Sequence, residues 1–312
     1  MTKVEASVTG VPDTHAGAIE RKRSCWDSAV PATVTGVTPP QLRLSVQSRV
    51  IVDNDWSGDP DGLVALAHHL LSPTNRVTAV TSSMINPVFG QPEGAANGAA
   101  LARELVDLIA LPESPPVHAG SDGPFGDSAS AAADAIVAEA RSDDDLPLFL
   151  VCAGPLTNVA QALQQAPDIA ARLTLVWVGG ALDPAADEYN RDTDPAAAEF
   201  VFATPGLVVW QFPLETYRSC AYSVAELEAD LAGSGRVGEW LWTCFTELPL
   251  PDFVRLGGVW PLGDSPPVLV TALDDESSTY RETPTGRVYT AVDVRLLFAD
   301  LLAKLRLHER RR

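Results

Sequence analysis

Short uninterrupted apolar runs alternate with longer stretches whose apolar residues recur at helical spacing. Arg49–Asp53 (RVIVD), Arg76–Thr81 (RVTAVT), Val117–Gly120, Pro147–Ala153 (PLFLVCA), Leu173–Val178 (LTLVWV) and Leu207–Phe212 read as strands. Leu63–Leu71, Gly94–Ala110, Ser130–Arg141, Asn158–Gln165 and Asp194–Ala203 read as the helices between them. Strands without polar alternation are buried on both faces, so the pattern predicts an α/β fold: a Rossmann-like, open, mostly parallel sheet with helices on both faces. After Tyr222 the pattern is mainly helical, with Pro266–Ala272 as a strand or a helix. Residues 1–47 are weakly periodic and interrupted by Pro12, Pro31, Pro39 and Pro40. They read as a poorly ordered or loosely docked extension, leaving 48–312 as the α/β domain.

Composition narrows the function. The net charge of −19 disfavours a nucleic-acid partner, which needs clustered Lys and Arg. The only lysines are Lys3, Lys22 and Lys304, so the central chain has none for a P-loop, a Schiff base or a kinase-type phosphate clamp. Cys25, Cys152, Cys220 and Cys244 form no CxxC pair, which argues against zinc and for buried free thiols. No apolar stretch is long enough for a membrane span, and the first residues lack a signal-peptide pattern, so a cytoplasmic protein is expected.

In a parallel sheet, ligands bind at the carboxyl ends of the strands. The first strand runs into Asp53-Asn-Asp55-Trp-Ser-Gly-Asp59-Pro-Asp61-Gly62, which places four carboxylates within nine residues. Such charges repel unless a cation binds them, and all-oxygen ligands suit Ca²⁺ or Mg²⁺. The plainer reading is a solvated acidic loop with capping aspartates. An EF-hand is excluded, because no Glu stands at the twelfth loop position. A phosphotransferase with Asp53 as nucleophile would need a downstream cation, usually a lysine, and the lysine-free centre argues against it, although an arginine could substitute.

Other strand ends add chemistry. Gly154-Pro-Leu-Thr-Asn158 reads as a tight turn whose Thr157 or Asn158 caps the next helix, and it can also aim a backbone carbonyl at a cation. Glu188 and Asn190, in the loop after Gly179-Gly180, supply the acceptor and donor that a sugar diol needs; read structurally, the segment is a surface loop with Asp194 as a cap. Asp264 lies between apolar segments, where an Asp is paired, metal-bound or an N-cap.

Taken in order, the acidic loop, GPLTN, the Gly-Gly strand end, Glu-Tyr-Asn followed by Asp194-Pro195, and the late Asp264 resemble the inosine–uridine nucleoside hydrolase family. Asn97–Leu111 and Pro116-Val-His-Ala-Gly-Ser121 extend the resemblance, which covers roughly 48–303. It implies that architecture, bound Ca²⁺ and hydrolysis of a ribonucleoside's N-glycosidic bond by metal-bound water. It also implies roles. Asp55 would be general base and metal ligand, and Asp264 and the Ala153 carbonyl further ligands. Asp53, Glu188 and Asn190 would serve the sugar. A homodimer or homotetramer is implied as well.

Three departures qualify these roles. Gly62 stands where the family carries a bidentate ligand, so Asp59 or Asp61 must replace it or the ion is held more weakly. Ser83 replaces the Asn that often follows the second strand, and a sugar-binding Asn before the Glu has no match. Gly263 replaces the His that protonates the leaving base, and no other histidine follows a strand in a suitable place. Help for the leaving base is expected from Trp56, Trp260, Tyr189 or a water channel. These departures leave open a specialised nucleoside or ribosyl-metabolite hydrolase, or a catalytically weak nucleoside- or ribose-binding protein.

Overall fold

A computed structural model describes residues 44–89, 93–126, 129–250, 255 and 257–312. Of the predicted extension, residues 1–43 lie outside the described residues, and 44–47 form an exposed coil leading into the first strand.

Strand β1 (Ser48–Asn54) is buried along its whole length, as its apolar run requires. It pairs in parallel with β2 (Asn75–Ser82) on one side and with β4 (Leu148–Cys152) on the other. The sheet grows outward from this centre. β3 (Val117–Ala119) adds beside β2, while β5 (Thr174–Val178) and β6 (Val208–Phe212) follow β4, all in parallel. The reversal of strand order between β1 and β4 opens a crevice at their carboxyl ends, where open α/β sheets bind ligands.

One apolar core lies on each sheet face. The first packs beneath helices Asp61–Leu70, Gly94–Ile109 and Val294–Arg311, and the second beneath Ala131–Ala140, Thr157–Gln165 and Pro195–Phe202. The α/β reading therefore holds.

The mainly helical reading after Tyr222 holds for helices Val224–Ala232, Arg236–Glu247, Pro267–Ala272 and Val294–Arg311, but it misses the strands between them. A small antiparallel pair, β7 (Ala221–Ser223) and β8 (Val259–Pro261), lies outside the main sheet. A hairpin, β9 (Thr279–Thr283) and β10 (Gly286–Ala291), completes the main sheet, with β10 parallel to β6 and β9 antiparallel to β10. Its strands are half-exposed, so they lack the continuous apolar run by which the inner strands are recognised. Pro267–Ala272 is a helix.

The sequence also suggests that one of His68 and His69 is buried and the other exposed. Both are fully buried, because helix Asp61–Leu70 is covered on all sides. Among the described residues no helix is long and apolar enough to cross a membrane.

Candidate active site

The crevice at the β1–β4 switch point is a cavity of about 440 Å³. Asp55, Asp59, Asp61, Ala153, Glu188, Tyr189, Asn190, Trp260 and Asp264 all line it, so chain segments far apart in sequence meet there. Parallel pairing brings Asp53 level with Cys152, and Ala153 N donates to Asp53 O at 3.0 Å. That register seats the Ala153 backbone beside Asp55.

Asp55, Asp61 and Asp264 form an acidic floor. Burial raises the Asp55 and Asp61 carboxyls well above the usual range, and the charges of Asp264 and Asp59 add to it. Asp264 is raised by burial and by Asp59, and its backbone N donates to Asp61 Oδ2 at 3.2 Å. Asp59 is exposed, with Oδ1 accepting from Asp61 N at 3.1 Å. Of the two candidates to stand in for the ligand missing at Gly62, Asp61 is therefore the buried one that faces Asp264.

Asn54, to which sequence reasoning assigns no role, ties this floor together. Its Oδ1 accepts from Asp55 N and its Nδ2 donates to Asp264 Oδ2, both at 2.8 Å. A Cβ on Gly62 would lie 2.3 Å from that Nδ2. The amide thus fills the space that a side chain at 62 would use.

Among the described residues no group of three or more His, Cys, Asp and Glu side chains stands at metal-binding spacing. The donor chemistry nevertheless suits a hard divalent cation. The buried carboxyls crowd one another, and among the described residues no Lys or Arg forms an ion pair with Asp55, Asp61 or Asp264.

Three expected substrate contacts do not line the cavity. Asp53 is fully buried beneath it and accepts from Thr81 Oγ1 at 2.6 Å and Asn158 Nδ2 at 2.7 Å. Burial pushes its carboxyl up to about 6 despite these bonds. Ser83 is buried, and its hydroxyl has no hydrogen-bond partner among the described residues. Trp56 is a core residue whose indole Nε1 donates to Thr81 O at 2.8 Å, so it has no face to offer a base. Thr157 and Asn158 do not cap their helix either. Thr157 Oγ1 donates to Asp194 Oδ2 at 2.6 Å, while Asn158 secures Asp53.

Tyr189 lies beside the Asp55 carboxylate, and its hydroxyl accepts from Asn86 N at 3.1 Å. The Asn190 amide is committed, since Nδ2 donates to Val178 O at 2.8 Å and to Ala153 O at 3.2 Å. Only its carbonyl oxygen is left for a ligand. Glu188, 2% exposed, caps helix Tyr189–Thr193. Its Oε2 accepts from Gly180 N at 2.6 Å and Arg191 N at 2.9 Å, and its Oε1 from Asn190 N at 3.2 Å and Tyr217 Oη at 2.9 Å.

Tyr217 and Arg218 were missed. They follow β6, and the rule that directs attention to strand ends would have found them at Pro213–Arg218. Arg218 is the one cationic side chain among the described lining residues. The mouth is largely apolar, with the exposed Phe89, Leu250 and Val259, and the buried Ile85 and Trp260 also line the cavity; the Trp260 ring meets Phe245 edge-on at 5.3 Å.

Comparison with known proteins agrees with this geometry. The family model described as inosine-uridine preferring nucleoside hydrolase matches residues 50–294. The pyrimidine-specific ribonucleoside hydrolase RihA of Salmonella agona (strain SL483) is 29% identical over 205 residues, covering 57% of this chain. The match spans 64% of that relative's length. Among solved structures, an inosine-guanosine nucleoside hydrolase superposes with a TM-score of 0.65 at 21% identity, covering 83% of this chain and 99% of its own. A purine-preferring ribonucleoside hydrolase from Gardnerella vaginalis gives 0.64 at 20% identity, covering 85% and 100%. These two show the shared fold.

Proposed function

The chain belongs to the inosine–uridine preferring nucleoside hydrolase family, and from that premise we propose that it hydrolyses the N-glycosidic bond of ribonucleosides, releasing ribose and the free base, with Ca²⁺ as cofactor. The supporting observation is the meeting of Asp55, Asp61, Asp264 and the Ala153 backbone in one cavity at the switch point of the sheet.

In this reading Asp55 takes the proton from the attacking water. Tyr189, which lies beside its carboxylate, would hold it in place. Asp55, Asp61, Asp264 and the Ala153 carbonyl would hold the ion, which when bound supplies Lewis-acid activation of water. The acidic floor favours the positive charge that develops on the ribosyl group as its bond to the base breaks. The leaving base lies in the apolar mouth against Trp260, beside Arg218. Gly263 offers no acid there, so Trp260 and Tyr189 are the expected candidates still at the cavity. The same reading takes the enzyme as a cytoplasmic homodimer or homotetramer, for which light scattering is the check on assembly.

The test is ribose release from purine, pyrimidine and p-nitrophenyl ribosides, with Ca²⁺ and with chelator, for wild type and Asp55→Ala. Calcium-dependent release that the substitution abolishes supports the reading. A second reading, a nucleoside- or ribose-binding protein of low activity, is favoured by Gly62 and Gly263 standing where ligand and acid are expected. Calcium and nucleoside binding without turnover would select it.

A further inference from the structure

The hydrogen bonds of Glu188 leave it no room for a substrate. An ionised carboxylate offers about four lone-pair sites, and four donors already occupy this one: the backbone N–H groups of Gly180, Asn190 and Arg191, and the Tyr217 hydroxyl. The Asn190 and Arg191 N–H groups belong to the start of helix Tyr189–Thr193 and cannot leave without unwinding it, and the Gly180 N–H is fixed in the turn after β5. Tyr217 is the only side chain among them, and it arrives from another element, the short helix Leu214–Tyr217.

Gly263 makes that arrangement possible. A Cβ at 263 would stand 2.9 Å from Tyr217 Cδ2 and 3.6 Å from Cε2. Gly263 does not adopt a positive φ, so its backbone does not demand glycine. What demands it is the ring, which fills the place that a side chain at 263 would take. Tyr217 and Gly263 both line the cavity.

We propose that Tyr217, rather than Glu188, presents the hydrogen-bonding atom to the ribosyl group at this end of the cavity: the phenol donates to Glu188 and accepts from one substrate hydroxyl. Glu188 is then the fixed base on which the phenol is oriented, and Gly263 is the space that admits the ring. This rests on the reading of the cavity as a ribonucleoside site. A phenol oxygen carries both a donor and acceptor capacity, so it relays the contact that a saturated carboxylate cannot make.

The experiment combines Tyr217→Phe with 2′-, 3′- and 5′-deoxy analogues of whichever nucleoside wild type turns over, measuring KM and kcat for each pair. Phe keeps the ring against Gly263 and removes only the hydroxyl. The variant is expected to raise KM for the full substrate roughly 3- to 10-fold, the scale of one hydrogen bond. For one deoxy analogue, and not the other two, it should cause no further loss. Gly263→Ala, which pushes the ring but keeps the hydroxyl, should also raise KM for the full substrate. Unchanged KM in Tyr217→Phe overturns the proposal. So does an equal loss on every analogue, which would mark a purely structural role. If wild type neither binds nor hydrolyses any riboside, the nucleoside reading itself falls and takes this inference with it, an outcome distinct from the other two.

Discussion

The Asn54 side chain occupies the space of the one missing at Gly62: a Cβ there would lie 2.3 Å from Asn54 Nδ2, and that amide bonds Asp264 instead. Gly62 and Asn54 compete for one space, so an Asp introduced at 62 would meet the Asn54 amide before it could act as a ligand. Gly62→Asp is expected to destabilise the fold by about 1–3 kcal/mol through overpacking. Asn54→Ala together with Gly62→Asp should recover part of that loss. Denaturant midpoints of the single and double variants measure the coupling, and calcium calorimetry on the double variant shows whether the new carboxylate binds. Additive losses would mean that the two positions do not compete.

Asp55→Asn keeps the shape of the side chain and removes its basicity. Ribose release is expected to fall by roughly 10²–10⁴-fold, with the far-ultraviolet circular dichroism unchanged. Activity within a few fold of wild type would place the base elsewhere.

Trp56 and Trp260 separate core from cavity. Trp56 is 1% exposed and hydrogen-bonded inside the fold, so Trp56→Ala should cost about 3–5 kcal/mol of stability. Trp260 lines the cavity, so Trp260→Ala should slow purine nucleoside turnover more than p-nitrophenyl riboside turnover. Equal effects of Trp260→Ala on both substrates would argue against contact with the base.

His69 makes the fold sensitive to acid. It is fully buried, its Nδ1 lies 3.2 Å from Asn75 Nδ2, and burial pushes its pKa down to about 3. In the unfolded chain it takes up a proton below its ordinary value of 6.5, while the folded chain does not. The unfolded state therefore binds more protons, and stability is lost as pH falls from 6.5 towards 3. Between pH 7.5 and 5 this one group accounts for about 2 kcal/mol. Urea unfolding at both pH values should show a smaller acid loss for His69→Gln than for wild type, whatever its stability at pH 7.5. An identical loss would exclude His69 as the cause.

Much of the fold was legible because its signals are local. Each inner strand is a continuous apolar run, and a strand buried on both faces has no other composition open to it. The acidic loop was visible because its carboxylates follow one another within a few residues of β1. The hairpin β9–β10 was not visible, because half-exposed strands carry no such run.

Sequence alone determined the order of the inner strands and the helices between them, the acidic end of β1 and the family pattern, since each is written in neighbouring residues. Tertiary structure decided which of those residues face the cavity. Trp56 and Asp53 belong to the acidic segment yet point into the core, while Tyr217, far along the chain, reaches Glu188. Asn54 meets Asp264 across 210 residues of chain. Such pairings follow from strand order and register, which bring distant strand ends together at the switch point, and no periodicity in the sequence records them.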